Sequence, residues 1–259
     1  MSGCVLCTRV ESVATVTLSN PGKLNAVDFA MWQSLAALLA ELSRDEQLRC
    51  IVVRGEGDQA FAAGGDIEEF VSRRDTLERA MAYHAQAGAA LQALADCRQP
   101  TIALLQGACI GGGLEIAAQC DLRIAAQSSR FGAPINKLGF SMYPAEMASL
   151  LRLAGAAGLL EILLEGRIFG AAEALAKGLV TRVVSDAEVV DETYASARRI
   201  CAGAPLVARW HKQWLRRLQQ GDPLSDEELR ASFAFLDTAD YREGLAAFTE
   251  KRKPQFRGC

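Results

Sequence analysis

Near the start of the chain, apolar and polar positions alternate with a period of two over Cys4–Val10 and again over Ser12–Leu18, which predicts two paired strands. Asn20-Pro21-Gly22 turns the chain. From Asp28, a residue suited to an N-cap, the period lengthens to that of a helix. Met31, Leu35, Leu38, Leu39 and Leu42 form one stripe between Phe29 and about Ser43. Cys50-Ile51-Val52-Val53-Arg54, bounded by Gly55 and Gly57, reads as a short buried strand, and a long helix from Thr76 to Cys97 ends before Pro100. Thr101-Ile102-Ala103-Leu104-Leu105 predicts a buried strand, and Leu114, Ile116, Ala117 and Ala118 a buried helix. Arg123–Ala126 and Arg130–Gly132 read as strands. Helical periodicity covers Pro144–Ala154, Ala156–Leu164 and Ala171–Lys177, the last stopped by Gly178. Val180–Val184 predicts a last strand, followed by helices to about Cys201, Pro205–Gln219, Ser225–Thr238 and Ala239 to about Lys251. The pattern predicts a mixed α/β body of repeated strand–strand–helix units with an all-helical tail.

Composition narrows this picture. Of 259 residues half are hydrophobic and 23% charged, enough for a sizeable core. A net charge of −3, with no basic run longer than Lys251-Arg252-Lys253, argues against a nucleic-acid partner. No apolar run approaches membrane-spanning length, and Met1-Ser2-Gly3-Cys4 lacks the charged and apolar regions of a signal peptide. The expectation is a cytoplasmic protein with no membrane partner. The eight cysteines are scattered, mostly in apolar segments, and only Cys4-Val5-Leu6-Cys7 has metal-like spacing, with no second pair. Reduced thiols and no metal are expected. Two histidines and the lack of a Gly-x-Ser-x-Gly elbow argue against a hydrolase triad.

The candidate chemistry lies in Gln106–Leu122, where Gly111-Gly112-Gly113 opens a helix and Glu115 follows in its first turn. Glycines there let the backbone approach a ligand with free amides, and the helix adds its positive end. A carboxylate beside such donors is suited to moving a proton while an oxyanion develops. The alternative on these residues alone is a glycine-rich turn in which Glu115 complements the helix dipole. A second stretch, Phe61-Ala62-Ala63-Gly64-Gly65-Asp66-Ile67, has the same form, with Asp66 available as a cap.

Both stretches together resemble the crotonase (enoyl-CoA hydratase/isomerase) superfamily. Cys120-Asp121-Leu122, Phe131-Gly132-x-Pro134, Leu138-Gly139, Ala174-Leu175-Ala176-Lys177-Gly178-Leu179-Val180 and the tail from Tyr241 to Pro254 extend the resemblance over essentially the whole chain. It implies an α/β fold, the crotonase (ClpP-like) spiral of repeated β-β-α units, with a C-terminal helical trimerisation region. The core would cover residues 1–200 and the helical region 201–259. It implies a homotrimer, or a hexamer as a dimer of trimers. The substrate would be an acyl-CoA thioester of fatty-acid type, with coenzyme A entering as part of the substrate and no permanently bound cofactor. By motif position the oxyanion hole falls on the amides of Gly65 and Gly112, and Glu115 is the catalytic acid/base. Contacts to CoA and acyl chain fall on Lys23, Leu24, Ala26, Ala63, Asp66, Ile67, Ile110, Gly111, Pro134, Ile135 and Leu138. Lys251 is a candidate for a neighbouring subunit's CoA phosphates.

One departure matters. Hydratases of this family place a second glutamate after the Phe-Gly-x-Pro motif, where this chain has Ile135. Water addition divides hydroxyl placement and protonation between two groups, and isoleucine does neither. Asn136, Tyr143 and Glu146 are candidate substitutes. Pro144 and Glu146 also suit a helix N-terminus on structural grounds. His84 is a candidate base in a dehalogenase-like scheme, or a structural residue of its helix. Three functions follow: an enoyl-CoA hydratase or isomerase with Glu115 alone as acid/base, a decarboxylase of a malonyl-type CoA thioester, or a non-catalytic acyl-CoA-binding protein.

Overall fold

A computed structural model describes residues 2–259. Strands β1 (Cys4–Val10) and β2 (Val13–Ser19) pair antiparallel, as the alternation predicts. Helix α1 (Phe29–Arg44) starts where the Asp28 carboxylate accepts from the Met31 amide at 2.8 Å. Its stripe of Met31, Trp32, Leu35 and Leu39 is buried. Strands β3 (Cys50–Gly55), β4 (Ala60–Ala62), β5 (Thr101–Leu105), β6 (Ala108–Ile110), β7 (Leu122–Ala126), β8 (Arg130–Gly132), β9 (Phe169–Gly170) and β10 (Arg182–Val184) follow.

The strands divide between two sheets. One runs β1-β2-β3-β5-β7-β10 and the other β4-β6-β8-β9. Successive strands from β3 to β8 alternate between the sheets, so each turn of the chain adds one strand to each before a helix carries it onward. This is the spiral of β-β-α units, and parallel pairing of β3, β5 and β7 follows from it. The buried faces of these strands read as continuous apolar runs because helices cover them on one side and the second sheet on the other.

Helices α2 (Ile67–Arg73), α3 (Leu77–Asp96) and α4 (Gly112–Gln119) sit at the strand-to-helix crossings. Helix α5 spans Pro144–Glu165, α6 Ala171–Ala176 and α7 Val189–Cys201. Beyond these come α8 (Pro205–Leu218), α9 (Asp226–Ala231) and α10 (Ala239–Thr249).

Three features differ from the sequence reading. Strands β4, β6 and β9 were not expected, being too short to show a period. Ser225–Thr238 is not one helix but α9 followed by a 3₁₀ turn, Ala234–Asp237. The two helices expected either side of Gly155 form as expected and run on as the two parts of α5, meeting at a kink at that residue, whose φ is +68°. So joined, α5 is long and apolar enough to cross a membrane by length and composition, which corrects the expectation that no apolar stretch approaches that length. The kink and the charges of Glu146, Arg152 and Glu161 interrupt it.

Cys50, Cys97, Cys109 and Cys120 are buried, Cys201 is partly so, and Cys4, Cys7 and Cys259 are exposed; all are free thiols.

Candidate active site

The two glycine stretches meet. Gly65 forms an isolated parallel bridge with Val27, in which Val27 donates to the Gly64 carbonyl at 2.8 Å and Asp66 to the Val27 carbonyl at 3.0 Å. Asp66 then caps α2 through the Glu68 amide. Gly111, with φ +48° and ψ −117°, holds the N-cap of α4 in a conformation only glycine adopts readily. Its carbonyl accepts from the Glu115 amide. A β-carbon placed on Gly112 would lie 3.4 Å from the Gly65 nitrogen. Among the described residues neither the Gly65 nor the Gly112 amide has a protein acceptor. Two unengaged donors therefore stand side by side at the positive end of α4.

Both open onto one cavity of about 120 Å³. Trp32 of α1, Ala87 of α3, Ile110, Pro134 and Ile135 are among the residues that line it. Trp32 Nε1 donates to the Tyr83 hydroxyl at 3.2 Å, and burial pushes that phenol up to about 12. Glu115 enters from the first turns of α4, is 7% exposed, and its carboxyl has no hydrogen-bond partner among the described residues. Desolvation drives its pKa well above the usual carboxylate range. The charge of Glu146 raises it further, and Arg74 opposes both. Such a carboxyl carries its proton where an exposed one has lost it.

Glu146 lies in the same cavity. It occupies the third position of α5, where its Oε2 accepts from the Tyr143 amide at 3.3 Å. Its Oε1 lies 2.8 Å from His84 Nδ1 of α3. Tyr143 stacks on the imidazole with centroids 4.8 Å apart. One residue thus meets both descriptions considered for it: it caps a helix and presents a carboxylate to the cavity.

The other sequence-derived positions divide. Ala63, Ile67, Ile110, Gly111, Pro134, Ile135 and Leu138 line the cavity with the amide pair and Glu115. Lys23, Leu24, Ala26 and Asp66 do not; Lys23 Nζ bonds to Asp66 and Glu68 at 2.7 Å each, and the Leu24 carbonyl accepts from the Ala63 amide. Asn136 is directed elsewhere: its amide donates to the Leu164 carbonyl at the far end of α5. Tyr143 touches the site through His84 rather than by lining it.

Met142, read with Ile110, Ile135 and Leu138 as an apolar pocket wall, does line the cavity; residues that the sequence reading did not single out for it are Trp32, Phe70, Arg74, Tyr83, Ala87 and Phe140. The only signal for them was the helical spacing of Phe70 and Arg74, and the place of His84 beside the buried stripe of α3, Tyr83–Ala87–Leu91–Leu94.

Comparison with known proteins agrees with this geometry. The sequence matches the Enoyl-CoA hydratase/isomerase family over residues 8–259. It is 36% identical to the "Probable enoyl-CoA hydratase echA8" of Mycobacterium bovis, covering 97% of each chain. It is 31% identical to the "Short-chain-enoyl-CoA hydratase" of Clostridium acetobutylicum, over 96% of this chain and 95% of that one. A crystal structure of an enoyl-CoA hydratase/carnithine racemase from Magnetospirillum magneticum superposes with a TM-score of 0.97 at 48% identity, covering 98% and 96% of the two chains. With the crotonase spiral and a cavity of this form, the chain belongs to the enoyl-CoA hydratase/isomerase family of enzymes.

Proposed function

We propose that this enzyme hydrates or isomerises an enoyl-CoA thioester through an enolate, with Glu115 as one proton carrier and the hydrogen-bonded His84–Glu146 pair as the other. The thioester oxygen sits between the amides of Gly65 and Gly112, where preorganised donors are worth most against developing negative charge. In hydration, the His84–Glu146 pair takes a proton from water while the water oxygen bonds to the β-carbon. The double-bond electrons move toward the α-carbon and thioester oxygen, and Glu115 gives its proton to the α-carbon. The proton held by the pair returns through solvent to Glu115. Isomerisation uses the same enolate, with a proton removed from one carbon and returned to another. The observation that carries this reading is the convergence of Glu115, Glu146, His84 and two unengaged amides on one cavity, with Ile135 where a carboxylate would otherwise stand.

Kinetics on a panel of enoyl-CoA thioesters test it. Glu115→Gln lowers kcat by about 10²–10⁴, and Glu146→Gln by about 10² or more. Unchanged turnover in Glu115→Gln overturns the assignment. The apolar Ile135 also favours a second reading, decarboxylation of a malonyl-type thioester, in which loss of carbon dioxide creates the enolate without a second acid. Carbon dioxide release from methylmalonyl-CoA, without enoyl turnover, selects it. Thioester binding with no turnover of any kind selects a non-catalytic role. The free thiols suit a cytoplasmic enzyme. α7 packs on β3, β5 and β7, which supports a core ending near residue 200. The helices beyond it, with exposed Leu215, Leu245 and Phe248, supply a homotrimer face, doubled in a hexamer.

A further inference from the structure

Arg74 is a cation inside the cavity without an anionic partner. It follows the last residue of α2, and its guanidinium carbon lies 4.2 Å from the Phe70 ring centroid, 4.5 Å from that of Phe140 and 5.7 Å from that of Tyr83. Rings draw the charge and hold the side chain against the cavity wall, but they supply no oxygen to its N–H donors. Among the described residues no side-chain or backbone oxygen accepts from the Arg74 guanidinium, and it forms no ion pair.

The nearby acids are engaged elsewhere. Glu69 Oε2 accepts from the Phe29 amide at 2.7 Å, Asp75 pairs with Arg79 at 2.9 Å, and Glu146 is held by His84 and Tyr143. Glu115 shares the cavity beyond ion-pairing distance, and its burial favours the neutral form, which leaves the guanidinium uncompensated. Around the guanidinium the wall is made of the rings of Phe70, Phe140 and Tyr83, so an uncharged acyl chain would gain nothing from an arginine there. An arginine fork suits a planar carboxylate, which it binds through two parallel hydrogen bonds.

We propose that Arg74 binds a second carboxylate carried by the acyl group, so that the preferred substrates are CoA thioesters of dicarboxylic acids. The inference rests on the acyl-CoA reading above and names the substrate class for that same site.

Binding, which needs no turnover, tests it. Calorimetry compares glutaryl-CoA with pentanoyl-CoA, thioesters of equal carbon number, and with free CoA, on wild type, Arg74→Gln and Arg74→Lys. The wild type binds glutaryl-CoA at least about tenfold more tightly than pentanoyl-CoA, the scale of a charge-assisted hydrogen bond. Arg74→Gln weakens glutaryl-CoA by about ten- to hundredfold, with a several-fold smaller change for pentanoyl-CoA and free CoA, and Arg74→Lys recovers part of the loss. Equal weakening of all three ligands makes Arg74 a contact for CoA itself and overturns the proposal, as does tighter wild-type binding of pentanoyl-CoA. Turnover of glutaconyl-CoA and 2-pentenoyl-CoA separates the two readings. Turnover of neither, with the glutaryl preference intact, fails the enoyl reading alone; turnover of both, with Arg74→Gln affecting them alike, fails this one alone.

Discussion

At Glu115, burial acts on the fold and on the chemistry in opposite directions. Taking the carboxyl out of water raises its folded-state pKa above the value of about 4.3 it has in the unfolded chain. The folded state therefore binds more protons than the unfolded one between those two values, and stability falls as pH rises through that window. Below the unfolded pKa both states are protonated and the penalty vanishes. Glu115→Gln removes the ionising group while keeping its volume, so its melting temperature at pH 7 exceeds that of wild type and the gap closes as pH falls toward 4.3. Thermal unfolding across pH checks this, and a Glu115→Gln protein less stable at pH 7 contradicts it. On the mechanism proposed above, the stability thus forgone leaves a proton available on the carboxyl for delivery to carbon.

The junction between β6 and α4 shows how an element end is shaped by what lies across it. A β-carbon on Gly113 would come within 2.3 Å of the Ala62 carbonyl oxygen of β4, a backbone atom that cannot move aside alone. Gly113→Ala therefore pushes the first turn of α4 away from β4, carrying the Gly112 amide and Glu115 with it. The expected cost is about 1–3 kcal/mol of stability and, because a misplaced group of this kind loses about 10²-fold, a drop in kcat of that order. Gly88 in α3 has no atom within 4 Å of where a β-carbon would sit. Gly88→Ala, which improves helix propensity without touching the cavity, gains about 0.5–1 kcal/mol. Denaturant unfolding and steady-state kinetics on the two variants separate the effects.

Over the whole molecule, large apolar side chains remain in water on the helical surfaces. Phe248 is 86% exposed and Leu164 72%, and both lie outside the two-sheet core. We propose that another copy of the chain covers these side chains. A trimer or hexamer in sedimentation is the expected outcome, and the double variant Leu245→Asp, Phe248→Asp sediments as a lighter species. A wild-type monomer at micromolar concentration contradicts the trimer.

Local chemistry, written in neighbouring residues, was legible from the chain alone. The Asp28 and Asp66 caps, the stripe of α1, the glycine stop at Gly178 and the register of Glu115 after three glycines each depend on residues within a few positions of one another. The resemblance to the crotonase family rests on the same local motifs. Strands of two or three residues carry no period, so β4, β6 and β9 emerged only through their pairing. The side chains brought together in the cavity are distant in sequence: His84 and Glu146 lie 62 residues apart, and Arg74, just past α2, meets Phe140 in the loop before α5. The sequence by itself determined most of the longer elements and brought forward the two glycine amides and the acid proposed for the site. Only the tertiary structure decided that a histidine–glutamate pair and an unpaired arginine share the cavity with them, because side chains converge there through helix crossings and sheet alternation that no local spacing records.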